Sequence, residues 1–423
     1  MGVAQRPAVS RYDSLVISPG AERVALPSTD AAGEALLVVD GTDRSATSLA
    51  SSLRARLAGG VHGRAVTVLV ATGRTDIPLL PPDEHRVDVV PAAASVKDGS
   101  AHARTVLAAL LREADRRSAA AALVWSGDRE PDADWPAMLL GPILEHGYEF
   151  VFPAYRRGRL DGMLNTAVVY PLTRALYGVR LRQPTGREGA LSPALARRLL
   201  AEPDWRRDPA HAGSDAWLVA KVLSGRARTC QAWLGPWPGD PHLPENASQA
   251  LARVLGEVFV EMERHAARWQ RVEGSQPVPS FGEPGAFVGD DAARANVPAL
   301  VASFQLGLRE LEGLWGRVLP PVTLLALRRA VTASPEAWRV DDALWARVVY
   351  DFAVAHYTRT MERNQLLRSM TPLYLGWVAG FVNDTRGLDA SAAEARVEEL
   401  CAAFEREKRY AIARWRWPDD FNP

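Results

Sequence analysis

Uninterrupted apolar runs mark the first third of the chain, and a helical recurrence of bulky apolar positions marks its last third. Residues 35–40 (ALLVVD), 65–71 (AVTVLVA), 86–90 (RVDVV) and 120–125 (AAALVW) have the composition of strands buried on both faces. Between them, residues 45–57 follow a Thr-Asp-Arg-Ser turn and read as a helix, and residues 98–117 read as another. Apolar strands alternating with helices predict an α/β fold, a mainly parallel sheet with helices on both faces. In such a sheet, ligands sit at the carboxyl ends of the strands.

The stretch 149–192 carries the densest pattern. A short apolar run at 149–153 leads into the basic segment Tyr155-Arg156-Arg157-Gly158-Arg159, and an apolar helix is predicted over 164–177, closed by Gly178. The polar loop Arg182 to Gly189 then runs to Ser192-Pro193, an N-cap followed by proline in the first helical turn. Strand, basic loop, helix and polar glycine loop in succession form a pocket floor. Three arginines in five residues face either an anion or the solvent; the pattern leaves both readings open.

Ser214 is placed to cap a helix over 215–223 that Gly225 stops, and residues 226–234 alternate as a strand with Arg228 and Cys230 on neighbouring positions. A Gly- and Pro-rich loop covers 235–244, a helical pattern 247–272, and a linker composition 273–285. Helices follow over 300–318, 323–332, 341–358, 365–383 and 391–415. Aromatic residues of this part, among them Trp315, Trp338, Trp345, Tyr374 and Trp377, read as core packing rather than a ligand cage. The expected organisation is a loosely ordered leader over 1–33, an α/β domain over 34–245 and an all-helical domain over 246–423 that carries a homodimer interface.

The chain has 423 residues, with 50 basic and 50 acidic side chains, so no global field favours nucleic acid or an anionic membrane. Its two cysteines, Cys230 and Cys401, are far apart and have no partner at metal-ligand spacing, so both are expected as buried thiols. No apolar run is long enough to span a bilayer, and the expected location is the cytoplasm.

Three strand ends deliver loops with a glycine and a carboxylate: Asp40-Gly41-Thr42-Asp43, Thr72-Gly73-Arg74-Thr75-Asp76, and Ser126-Gly127-Asp128-Arg129-Glu130. Each suits a ribose or a metal, and each is also what turn chemistry requires where strands end.

The segments VYPLTRALYG, RQP with the Gly/acid loop behind it, and LLRSMTPLYLGWVAGFV resemble a bacterial, family 2-like branch of the GT-A glycosyltransferases, similar to the mannosylglycerate and glucosylglycerate synthases. The resemblance implies transfer of a hexose, with retention, from a nucleoside diphosphate sugar to a small, glycerate-like acceptor. It places Asp215 and Glu188 at the reacting centre, Asp40, Thr42, Thr72, Asp128 and Arg129 at the donor, and Arg156, Arg157 and Arg159 at the acceptor. It also implies a divalent cation, Mg²⁺ or Mn²⁺, because a departing diphosphate needs positive charge nearby. Yet the family's Asp-x-Asp falls on Trp125-Ser126-Gly127 and its histidine on Gly239. Asp128 and His242 are then the substitute ligands. The alternative is a degenerate, non-catalytic relative that binds a sugar or nucleotide and partners an active transferase.

Overall fold

The computed structural model describes residues 35–40, 66–72, 87–91, 99–125, 132, 134–185, 188–237, 247–285, 287–288 and 295–418. The leader and the helix expected at 45–57 lie outside these.

The four apolar runs are strands β1 (Ala35–Asp40), β2 (Val66–Thr72), β3 (Val87–Pro91) and β4 (Ala121–Trp125), with helix α1 (Gly99–Arg116) before β4. Helix α2 (Trp135–His146) leads to β5 (Phe150–Arg156), the run expected at 149–153. Further strands are β6 (Val179–Arg180), β7 (Gly189–Leu191), β8 (Thr229–Pro236), β9 (Gln276–Pro277) and β10 (Ser280–Phe281). The main sheet has the order β10-β8-β5-β7-β4-β1-β2-β3, and β6 pairs with β9 in a separate two-stranded sheet. In the main sheet every pairing is parallel except those of β7, which runs antiparallel between β4 and β5.

Burial of both faces explains the uninterrupted apolar strands. On β4, Ala122 and Val124 meet Leu107, Leu110 and Leu111 of α1, whereas Ala121, Leu123 and Trp125 meet Trp135, Leu139 and Leu140 of α2. Strand β8 alternates likewise, with Cys230, Ala232 and Leu234 on the α2 side and Arg228 exposed just before it. Both cysteines are buried free thiols, as expected. The α1 face is completed by α4 (Pro193–Leu200) and α6 (Asp215–Ser224), with the single turn α5 (Asp204–Arg207) between them. Both caps form as predicted: the Ser192 hydroxyl accepts from Leu195 N and the Ser214 hydroxyl from Trp217 N.

The helix expected over 164–177 is a π-turn, Asn165–Val169, that continues into α3 (Tyr170–Tyr177), and Gly178 closes it at φ 72°. The remaining helices are α7 (Ala247–Arg264), α8 (Ala266–Trp269), α9 (Val297–Trp315), α10 (Pro321–Ala330), α11 (Asp342–Tyr357), α12 (Arg363–Ser369), α13 (Thr371–Thr385) and α14 (Ala390–Arg416). The helix expected over 365–383 is thus divided at Met370. Pro372 has no N–H to give the carbonyl four residues back, so the ladder breaks there. The expected linker at 273–285 also differs, because β9 and β10 order it. Pro279 O accepts from Gln231 N at 3.0 Å, and Gln231 Nε2 donates to Ser280 Oγ at 2.9 Å.

The aromatic residues are core, as the sequence implied. The indole N–H groups of Trp315, Trp338 and Trp345 donate to Ser369 O, Gly376 O and Ala167 O, so each buried ring is also satisfied. Helix α3 belongs to this helical core as much as to the sheet. One face of α14 grips it: Glu398 and Glu405 take the guanidinium of Arg174, and Lys408 Nζ donates to Ala175 O and Val272 O at 2.6 Å each. No helix among the described residues is long and apolar enough to cross a membrane.

Candidate functional site

Strand β5 changes register against β8 between Ala154 and Arg156, a bulge that re-aims the chain as it leaves the sheet. The strand therefore ends by delivering Tyr155 and Arg157 to the mouth of a small pocket of about 10 Å³, room for roughly one water. Asn165 and Thr166 enter from the π-turn, Arg182 and Gln183 from the polar loop, Trp233 from β8, and Glu394 from the first turns of α14. The pocket lies at the carboxyl ends of β5 and β8, where a parallel sheet binds ligands, and the helical part supplies its far wall.

The polar side chains of this pocket are held tightly. Arg157 Nε donates to Gln183 Oε1 at 3.1 Å and Nη1 to Asp161 at 3.2 Å, while its guanidinium lies 3.7 Å from the centre of the Trp237 ring. Gln183 is fixed in turn by donating Nε2 to Tyr155 O at 2.7 Å. Arg182 reaches Glu394 with Nε and Nη2 and lies over Tyr170 and Phe287. Burial pulls the Arg182 guanidinium down, but the charge and hydrogen bonds of Glu394 outweigh it and hold the cation above its ordinary range. An aromatic series, Trp125, Trp135, Tyr155 and Trp237, runs from the end of β4 to the pocket with centroid spacings of 5.5, 5.3 and 4.8 Å.

The three arginines of the basic segment have different surroundings. Arg156 is exposed against Gly285, Arg157 lines the pocket, and Arg159 is buried, donating Nη1 to Thr385 O and Nη2 to Leu388 O at the end of α13. Glu188 is buried immediately before β7. Because Gly189 stands opposite Val124, Glu188 is level with the carboxyl end of β4. Gly189 itself admits no larger residue, since a Cβ there would meet the Phe150 ring at 2.9 Å.

Asp215 is the first residue of α6 and is half-buried. That helix of ten residues is about 15 Å long and feeds the amino end of β8, so its own amino end stands at the sheet's carboxyl edge. The loop before it is anchored. His211 Nε2 lies 2.6 Å from Glu261 Oε1, His265 Nε2 lies 3.1 Å from Oε2, and Arg264 pairs with both Glu261 and Asp208. Gly213, at φ 81°, passes under Trp205, where a Cβ would come within 2.8 Å of the ring.

Of the donor residues, Asp40 and Thr72 end the neighbouring strands β1 and β2 at the same edge. Thr42, Asp128, Arg129 and His242 lie outside the described residues. Among the described residues no group of three or more His, Cys, Asp or Glu is placed to hold a metal ion. Trp125 is fully buried against Trp135. Sequence reasoning missed Asp161, Asn165 and Glu394; the last is more than 200 positions from Arg182 and carries no local signal of its role.

No protein-family model matches this chain, and no curated protein matches it. Solved structures similar to it include glucosyl-3-phosphoglycerate synthase from Mycobacterium tuberculosis with Mn²⁺, UDP and glucosyl-3-phosphoglycerate. That match has 18% identity and a TM-score of 0.37, covering 60% of this chain and 82% of that one. The same enzyme with phosphoglyceric acid matches at 19% and 0.38, and with Mg²⁺ and UDP at 18% and 0.38, each with the same coverage.

Proposed function

We propose that this chain is a GT-A type glycosyltransferase that moves a hexose from a nucleoside diphosphate sugar to a small acceptor, with retention. The observation that carries the reading is the pocket at the carboxyl ends of β5 and β8, on the same sheet edge as Asp40, Thr72, Glu188 and the amino end of α6. Donor and acceptor have adjacent places along that edge, the donor over β1 to β4 and the acceptor over β5 and β8. In the transfer, the bond between the anomeric carbon and the diphosphate oxygen breaks and its electron pair stays with the diphosphate. The acceptor hydroxyl oxygen bonds to that carbon on the same face, and its proton passes to the departing diphosphate. Asp215 orients sugar or acceptor hydroxyls, and Glu188 contacts the sugar or the acceptor. Arg156, Arg157 and Arg159 remain the acceptor-side set of this reading, Arg157 by lining the pocket and Arg159 by fixing the turn that carries it. The reading includes a homodimer through the helical part, where Val322 and Leu325 of α10 are exposed; light scattering tests it.

Calorimetry with UDP-glucose and GDP-mannose, with and without Mg²⁺ or Mn²⁺, combined with mass detection of product, tests the activity. Binding and an Asp215-dependent product are expected; no binding at millimolar ligand refutes the reading. A degenerate, non-catalytic relative is favoured by one observation, the buried Trp125 at the family's metal position. A product that disappears in Asp215→Ala excludes it.

A further inference from the structure

Arg182 is a prepared cation whose partner is supplied from inside the chain. Its guanidinium lies 5.3 Å from the centre of the Tyr170 ring and 5.6 Å from that of Phe287, so two aromatic residues flank it. It donates Nε to Glu394 Oε1 at 2.5 Å and Nη2 to Oε2 at 3.3 Å, the two-pronged arrangement by which an arginine recognises a free carboxylate or phosphate. The void left beside this pair holds about one water, so the site at the carboxyl ends of β5 and β8 is shut.

The acid, not the arginine, is the movable partner. The side chain of Arg182 is 11% exposed and that of Glu394 26%, so the carboxylate is on the solvent side of the pair. Glu394 is the fifth residue of α14, a helix clamped further along by Glu398 and Glu405 on Arg174 and at its approach by Arg159 on Thr385 O and Leu388 O. The helix therefore stays in place while the glutamate side chain alone turns to solvent, a rotamer change that needs no movement of one domain against another. Losing the partner outright leaves Arg182 an uncompensated, largely buried cation, whereas exchanging one anion for another keeps the pair. The space that the carboxylate vacates adds to the void and admits a group of that size, with the rest of its molecule on the solvent side.

We propose that Glu394 is an internal stand-in for an anionic ligand: it closes the pocket by occupying Arg182, and the carboxylate or phosphate of a small acid must displace it to enter. The role of that acid as acceptor rests on the transferase reading above; the competition for Arg182 rests on the pocket alone. In the free protein the affinity for the acid is then reduced to the fraction of chains in which Glu394 has left.

The test is calorimetry on the full chain with 3-phosphoglycerate, and with methyl α-D-glucopyranoside as a neutral control, comparing wild type with Glu394→Gln. The glutamine keeps the size of the side chain and removes its charge. It is expected to raise 3-phosphoglycerate affinity about tenfold, the gain that a tenfold excess of the closed form withholds, and misfolding does not produce a gain. Adding Arg182→Gln to Glu394→Gln is expected to abolish it. Equal affinity in wild type and Glu394→Gln overturns the proposal, as does absence of binding to both, an equal gain for the glycoside, or a gain that survives the loss of Arg182. UDP-glucose binding is measured on the same samples. Nucleotide sugar binding with no gain in Glu394→Gln overturns the latch and leaves the transferase reading standing; the gain without nucleotide sugar binding in any sample does the reverse.

Discussion

Glu261 carries a prediction about the loop that presents Asp215. Its carboxylate is 1% exposed, and burial alone raises the proton affinity of such a group. The hydrogen bonds and charges of His211 and His265 more than reverse this and bring it from 4.5 to about 2. A carboxylate whose folded value lies below its unfolded one adds stability that is fully present above pH 4.5 and is lost as the pH falls toward 2. The difference corresponds to about 3 kcal/mol. Wild type and Glu261→Gln should therefore differ by about that amount at pH 5 to 6 in urea denaturation, and the gap should close between pH 4.5 and about 2. Amide exchange at 208–217 should rise in the variant over the same upper range, since His211 belongs to the turn that Ser214 and Asp215 continue. A gap that stays constant from pH 6 to 2, or a variant as stable as wild type at pH 6, refutes the argument.

Other substitutions separate structural from functional roles. Arg159→Ala leaves the carbonyls of Thr385 and Leu388 without their donors and should cost about 2–5 kcal/mol, whereas Arg156→Ala should leave the melting temperature unchanged. Ser214→Ala removes the cap of α6, with an expected loss of about 1 kcal/mol, and should lower turnover more than that loss explains because Asp215 is the next residue. Gly376→Ala puts a Cβ 2.5 Å from the Phe304 ring where α9 and α13 cross, and overpacking of about 1–3 kcal/mol should appear in denaturant titrations.

The sheet was legible because strands buried on both faces leave uninterrupted apolar runs, and β1, β2, β3 and β4 follow theirs to within a residue. Strand β7 was not. Three residues, Gly189–Leu191, are too few for any periodicity, and their antiparallel place between β4 and β5 comes from pairing with strands distant in the chain rather than from a local pattern. The linker at 273–285 misled for a related reason. Its Pro and Gly are turn residues, yet β8 at the sheet edge still had backbone groups to pair, and a two-residue strand is enough to pair them.

The same distinction governs the site. Caps and turns are local, so Ser192, Ser214 and Gly178 were readable, and with them the positions of Glu188 and Asp215 relative to the sheet edge. Charge is not local. Arg156, Arg157 and Arg159 look alike as neighbours, but one faces solvent, one lies on Trp237 beside Asp161, and one closes the end of α13. Whether a basic segment recognises an anion depends on which carboxylates the fold brings to it. Here Asp161 is only four residues from Arg157, but Glu394 reaches Arg182 from a helix more than 200 residues on, and that pairing leaves no trace in the local sequence.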